Sequence, residues 1–116
     1  MDGKLSLVYV PVRDTKEALA FYRDQLGLVE SWREGETVAF KLPGTEVELM
    51  VDPVEEGARD TAGPMFELPS VDEFYAAHQS KLEFVRKPSD IAPGRWAAAK
   101  DPSGNMLYFF DTSKSG

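Results

Sequence analysis

The feature that most constrains the fold is a pattern that occurs twice along the chain. Asp14 and Glu17 have the spacing of a helix capping box, and Ser70 and Glu73 repeat that spacing 56 residues later. The same offset superposes apolar positions of the two halves, Leu26 on Leu82 and Val29 on Val85. This repeat of pattern predicts two units of one architecture, each with a strand, a helix and three further strands (βαβββ).

In the first half, β-branched and aromatic residues predict a strand over 5–12, before the helix that Asp14 opens. Gly27 suits the left-handed position that follows a helix. Turn residues at Gly35 and at Pro43-Gly44 then separate three short predicted strands, which cover 29–33, 37–42 and 46–51.

The second half follows a stretch rich in charged and turn residues, which we interpret as a linker over 53–62. A strand ending at 66–68, a helix that begins after Ser70 and strands over 82–86, 95–100 and 106–110 complete the pattern. The predicted organisation is one α+β domain spanning 1–116, with βαβββ units at about 4–52 and 63–112.

The last strand, Met106 to Phe110, has apolar residues on both faces. Alternation places Tyr108 on one face and Leu107 with Phe109 on the other, so both faces should be covered. The preceding residues, "DPSGN", predict a tight turn in which Gly104 or Asn105 has a positive φ.

Composition excludes several classes of function. The net charge of −7 opposes phosphate backbones, so we expect no nucleic-acid partner, and a cationic small molecule is favoured over an anionic one. The absence of cysteine excludes disulfides, thiolate metal sites and thiol nucleophiles. No segment has the length of a membrane span or the pattern of a signal peptide, so we expect a cytoplasmic protein with no membrane partner.

Two stretches carry a resemblance to a known family. The helix pattern D-x-x-x-A-x-x-F-Y-x-x-x-L-G-L at 14–28 and the "DPSGN" turn resemble the vicinal oxygen chelate superfamily, which includes glyoxalase I, extradiol dioxygenases and the fosfomycin and bleomycin resistance proteins. The resemblance covers nearly the whole chain. It implies two βαβββ units whose curved mixed sheets form a U-shaped cavity, with the Tyr108 face lining it and Leu107 and Phe109 under a helix.

The resemblance also assigns four metal-ligand positions, typically two His and two Glu. They fall on Leu7, on Glu48, on Gly63 or Pro64, and on Tyr108, and only Glu48 is a ligand residue. The single histidine, His78, lies in the second helix, where a surface or half-buried structural role is expected. We therefore predict no metal, no cofactor and no catalytic residue of a standard kind.

If Glu48 faces the cavity, strand alternation places Glu46, Met50 and Asp52 on its side of the strand. Val47, Leu49 and Val51 then face the helix. For Trp32, a position in the core and a position lining the cavity are equally favoured. For Glu46, a solvated position at the edge of the strand is favoured over the cavity. The predicted ligand-binding set is apolar and aromatic around one carboxylate: Glu48, Tyr108, Tyr9, Leu7, Met50, Met65, Phe110, Trp32 and Trp96.

Such a lining favours a flat ligand that carries a positive charge. The predicted function is a metal-independent small-molecule binding protein of the bleomycin-resistance type, which acts in antibiotic resistance by sequestering its ligand and forms a homodimer. A glyoxalase-like or dioxygenase-like lyase or isomerase with a non-standard site is the alternative. A third reading is an interaction domain with no ligand of its own.

Overall fold

The computed structural model describes residues 1–55 and 60–114 and shows the repeated βαβββ pattern that the sequence predicts. In the first repeat the elements are β1 (Lys4–Val12), α1 (Thr15–Leu19), β2 (Glu30–Glu34), β3 (Thr37–Lys41) and β4 (Glu48–Pro53). In the second they are β5 (Gly63–Glu67), α2 (Val71–His78), β6 (Glu83–Ile91), β7 (Gly94–Lys100) and β8 (Met106–Phe110). Two compact units result: Leu7–Ala62, here the N-terminal unit, and Met1–Ser6 with the chain from Gly63 onward, here the C-terminal unit.

The N-terminal unit has the strand order β2-β3-β4-β1. Its neighbours are antiparallel except for the parallel pair of β4 with β1. One face of this sheet packs against the helix through Ala18, Val38, Phe40 and Val51, with Leu49 beside them. The predicted helix side of β4 is therefore confirmed.

The first helix differs from its prediction after one turn. From Ala20 to Gln25 it widens into a π-helix, in which the Leu26 amide donates to the Phe21 carbonyl, five residues back, at 2.9 Å. Widening rotates the side chains away from the spacing of an α-helix. Tyr22 still packs on the sheet, whereas Phe21 and Leu26 are 47% and 56% exposed.

The C-terminal unit has the strand order β5-β8-β7-β6, with β5 and β8 parallel and the other pairs antiparallel. Under α2, Val71 packs with Phe109 and Ala97, and Leu107 lies against the same cluster. The Leu107 and Phe109 face is thus under a helix, as the resemblance implies. The Ser70 hydroxyl accepts from the Glu73 amide at 3.2 Å, which confirms the predicted cap of α2.

The "DPSGN" turn is built around Asp101. One oxygen of its carboxylate accepts from the Ser103 and Asn105 amides at 2.8 Å, and the other accepts from the Asn105 side chain at 3.0 Å. The hydrogen bonds from Asn105 chiefly hold the pKa of Asp101 below its ordinary value. Of the two positions at which the sequence allows a positive φ, Gly104 adopts it, with φ of 89°.

Several predicted boundaries move. β4 spans 48–53 rather than 46–51, so Pro53 belongs to the strand and not to the linker, of which 56–59 lie outside the described residues. β6 continues to Ile91 through Pro88, which is tolerated because β6 is an edge strand. No helix in the described part of the chain combines the length and the apolar character that crossing a membrane requires.

Candidate ligand-binding faces

Each sheet has a second face, opposite its helix, and these two faces carry all nine predicted ligand-binding residues. In the N-terminal unit, Leu7 pairs with Glu48 and Tyr9 with Met50. Trp32 pairs with Ala39, which in turn pairs with Met50. Pairing across neighbouring strands puts side chains on the same face. The N-terminal face therefore holds Leu7, Tyr9, Trp32, Thr37, Glu48, Met50 and Asp52.

The most accessible polar contact on this face joins Trp32 and Glu48. The indole Nε1–H donates to Glu48 Oε1 at 3.0 Å, and Trp32 is 37% exposed. A side chain so exposed is not part of the core, which counts against one of the two readings of Trp32. The contact fixes the indole beside the carboxylate and occupies only one of the two carboxylate oxygens.

A second carboxylate lies two residues further along β4. Asp52 accepts from the Tyr9 hydroxyl at 3.0 Å and from the Thr37 hydroxyl at 2.6 Å. Asp52 therefore anchors Tyr9 and Thr37 in place. The sequence placed Asp52 on this face but gave no indication of Thr37 as its partner.

The C-terminal face is aromatic. Met65 pairs with Tyr108, and Trp96 pairs with Phe110, so all four lie on the side opposite α2. The rings of Trp96 and Tyr108 stack with centroids 6.4 Å apart and planes 16° apart. The Arg86 guanidinium lies over the Trp96 ring, 5.7 Å from its centroid. Arg86 was not predicted from the sequence, because alternation from Phe84 would place it on the α2 side. A register shift between Phe84 and Arg86 pairs Arg86 with Ala98 and brings it to this face.

Burial divides the predicted set in two. Leu7, Tyr9, Met65 and Tyr108 are at most 8% exposed, and Tyr108 is fully buried. Trp32 is exposed, and Glu48, Met50, Trp96 and Phe110 are half-buried. A ligand that binds without rearrangement would touch the second group, while the buried residues support it from behind.

Two further acidic residues and His78 lie outside the nine predicted positions. Glu46 is exposed, as expected, but it precedes β4 and is not part of the strand. Glu67 is half-buried beside Phe110 on the C-terminal face. His78 lies at the end of α2, where its Nδ1 donates to the Phe74 carbonyl at 2.9 Å and its ring stacks on Phe74 at 4.2 Å. These contacts give His78 the structural role expected from the sequence.

The residues at the four metal-ligand positions do not fit a divalent ion. Leu7 offers no donor atom, Tyr108 is buried in a ring stack, and one oxygen of Glu48 accepts from an indole. At Gly63 even a Cβ atom would clash with the backbone carbonyl oxygen of Met106, which leaves no room for a histidine. Among residues 1–55 and 60–114, no group of three His, Cys, Asp or Glu residues could hold a metal ion.

Comparison with known proteins places this geometry in a family. The model of the Glyoxalase/Bleomycin resistance protein/Dioxygenase superfamily matches residues 4–109. An uncharacterised protein of Bacillus subtilis (strain 168), YraH, is 29% identical over 124 residues, which covers 92% of this chain and 97% of YraH.

Solved structures share the fold at low sequence identity. A structure described as an NAD-dependent benzaldehyde dehydrogenase from Legionella pneumophila has a TM-score of 0.75 at 19% identity, covering 91% of this chain and 97% of the other. A variant of the methylmalonyl-CoA epimerase of Streptomyces coelicolor, bound to 2-nitronate-propionyl-CoA, has a TM-score of 0.69 at 16% identity, with coverage of 97% and 99%. The chain therefore belongs to the Glyoxalase/Bleomycin resistance protein/Dioxygenase superfamily.

Proposed function

We propose that this protein is a metal-independent small-molecule binding protein that sequesters a flat aromatic cation. The observation that carries the proposal is the Trp32–Glu48 pair, an exposed indole held beside a half-buried carboxylate. An indole face binds cations and aromatic rings, and a carboxylate at its edge adds charge pairing. The bleomycin-resistance type of the superfamily, with a role in antibiotic resistance and a cytoplasmic location, fits this mode of capture.

The surroundings of the pair support a binding role over a catalytic one. Both oxygens of Asp52 already accept from hydroxyls, and one oxygen of Glu48 accepts from the Trp32 indole. Half-buried Met50 adds apolar surface next to the carboxylate, and buried Tyr9 is its cross-strand partner. Such a site captures a ligand by stacking and charge pairing.

Replacing Glu48 with Gln keeps the size of the side chain and removes its charge. We expect Glu48→Gln to weaken binding of N-methylisoquinolinium by roughly 1–3 kcal/mol. The reason is that a partly desolvated carboxylate stabilises a bound cation more strongly than a carboxylate in bulk water does. Binding of isoquinoline, neutral at mildly alkaline pH and almost the same shape, should change little. Calorimetric titration of both ligands against the parent and the variant measures the difference.

Glu46→Gln is the matched control, because Glu46 is an exposed carboxylate two residues earlier in the chain. It should leave both affinities nearly unchanged. Equal losses in the two variants would mean that the cation responds only to overall charge, and would contradict the proposed site. Conversion of either ligand during the titration would instead favour the enzymatic alternative.

We also propose that the protein is a homodimer. The described residues leave several large apolar side chains exposed, with Phe21 at 47%, Leu26 at 56% and Val29 at 63% in the N-terminal unit. A stable interface covering such side chains would bury more than ~1,000 Å². Sedimentation equilibrium at micromolar concentrations should give twice the chain mass of 12.9 kDa. A single species at the chain mass would count against the dimer.

A further inference from the structure

A groove on the other side of the C-terminal sheet is separate from the nine predicted ligand-binding residues. It lies between the C-terminal end of α2 and the strands β7 and β8, and its volume is about 590 Å³. That volume is within the range of small-molecule sites. The groove lies on the α2 side of this sheet, so the C-terminal face described above is not part of it.

The floor of the groove is apolar and aromatic. Phe66, Phe109 and Leu107 line it, and Phe66 and Phe109 stack with centroids 6.2 Å apart. Phe74 continues the aromatic surface, 4.8 Å from Phe109, and carries the His78 ring. Phe66, Phe74 and Leu107 are only half-buried although they pack against the core cluster. Apolar surface left partly open in this way is available to a ligand.

The charged side chains around the groove differ in whether they are free to pair with a ligand. Lys81 follows α2, is exposed, and forms no ion pair with any residue in the described part of the chain. Both oxygens of Asp101 are already held by N–H donors of its turn. Glu83 and Lys100 also border the groove, and they are cross-strand partners of each other. Because neighbouring residues of a strand point to opposite faces, and Phe84 and Ala99 lie on the α2 side, the side chains of Glu83 and Lys100 point to the other face. Lys81 is therefore the charge that remains for a ligand.

We propose that this groove binds an aromatic carboxylate, with the ring on the phenylalanine floor and the carboxylate paired with Lys81. The His78 ring forms one wall. Its Nδ1–H donates to the Phe74 carbonyl, which holds the ring in place against Phe74. The ligand chemistry is opposite in charge to that proposed for Glu48, so the two sites can be tested independently.

The probe pair is 2-naphthoate and its neutral isostere 2-naphthamide. We expect Lys81→Gln to weaken 2-naphthoate roughly threefold to fivefold, the effect of one partly exposed charge contact, and to leave 2-naphthamide unchanged. Leu107→Ala should weaken both probes, because it removes apolar floor without changing charge. Lys87→Gln, an exposed lysine of β6 outside the groove, should change neither affinity.

Binding is measured by calorimetry, and its location by amide NMR shifts of the folded parent and variants. Shifts of Ala99, Leu107 and Phe109 amides on addition of 2-naphthoate, reduced in Lys81→Gln, are the expected result. Equal losses in Lys81→Gln and Lys87→Gln would overturn the proposal, since they would show a response to net charge alone. Shifts confined to other residues, or no binding of 2-naphthoate to the parent, would overturn it as well.

Discussion

Asp111→Ala should be the most destabilising of the single substitutions considered for this protein. The side chain is 1% exposed and ties three backbone segments together. Its Oδ2 accepts from the Val71 amide at 2.8 Å, at the start of α2, and its Oδ1 accepts from the Arg95 amide at 2.9 Å and the Ser113 hydroxyl at 2.8 Å. Alanine would leave these donors without an acceptor, so we expect a loss of about 3–5 kcal/mol in the free energy of unfolding.

The Asp111 carboxylate should also make the free energy of unfolding depend on pH. Burial acts to raise the pKa of Asp111, but hydrogen bonds from the Val71 amide, from Ser113 and from the Arg95 amide outweigh it and lower the pKa below the ordinary value. Because the folded pKa is the lower one, the stabilisation is complete above the unfolded pKa of about 3.9 and is lost as pH falls through the folded pKa. Denaturant unfolding of the parent and of Asp111→Asn between neutral and acidic pH measures this dependence.

Asp111→Asn should lose less stability than Asp111→Ala at neutral pH, because the amide oxygen can replace one of the two acceptors. Its stability should also fall less below pH 4 than that of the parent. Asp24→Asn, which removes an exposed carboxylate paired with Arg23, is the control and should change the free energy of unfolding little, because a solvent-exposed ion pair contributes little. An Asp111→Ala variant as stable as this control would contradict the role assigned to Asp111.

The second large effect is expected at Gly63, one of the two candidates for a metal-ligand position. Because a Cβ atom there would clash with the backbone carbonyl oxygen of Met106, Gly63→Ala must push β5 away from β8 or distort the strand. We expect a loss of about 3 kcal/mol, at the upper end of overpacking effects. Gly63→His should be destabilised at least as much and should gain no measurable zinc affinity by equilibrium dialysis.

Gly3→Ala provides the comparison for this prediction. The Cβ added at Gly3 would approach Leu68 Cδ2 to 2.9 Å and Met1 Cε to 3.1 Å, the mobile ends of flexible side chains. These ends can move, so Gly3→Ala should cost clearly less than Gly63→Ala. If Gly63→His instead binds one zinc ion per chain and keeps its stability, both the steric argument and the metal-free reading of the site are wrong.

Local chemistry explains which parts of the fold were predictable from the sequence. Ser70 caps α2 and Gly104 turns the chain before β8 because cap and turn preferences are properties of a few neighbouring residues. Period-2 alternation placed Glu48 and Met50 opposite the helix side of β4 for the same reason. The resemblance carried by the motif at 14–28 supplied the family, and the fold shows the two units it implies.

Other features depend on contacts between residues distant in sequence. The π-helical turn at Ala20–Gln25 exposes Phe21, and no local signal distinguishes it from a continued α-helix. The Trp32–Glu48 hydrogen bond, the anchoring of α2 by Asp111 and the apolar groove beside Lys81 likewise arise only when separate strands and helices pack. The sequence by itself determined the elements, their repeat and the residue types on each face. Only the tertiary structure decided which side chains stay accessible, because burial and hydrogen-bond partners are set by the packing of segments that lie far apart along the chain.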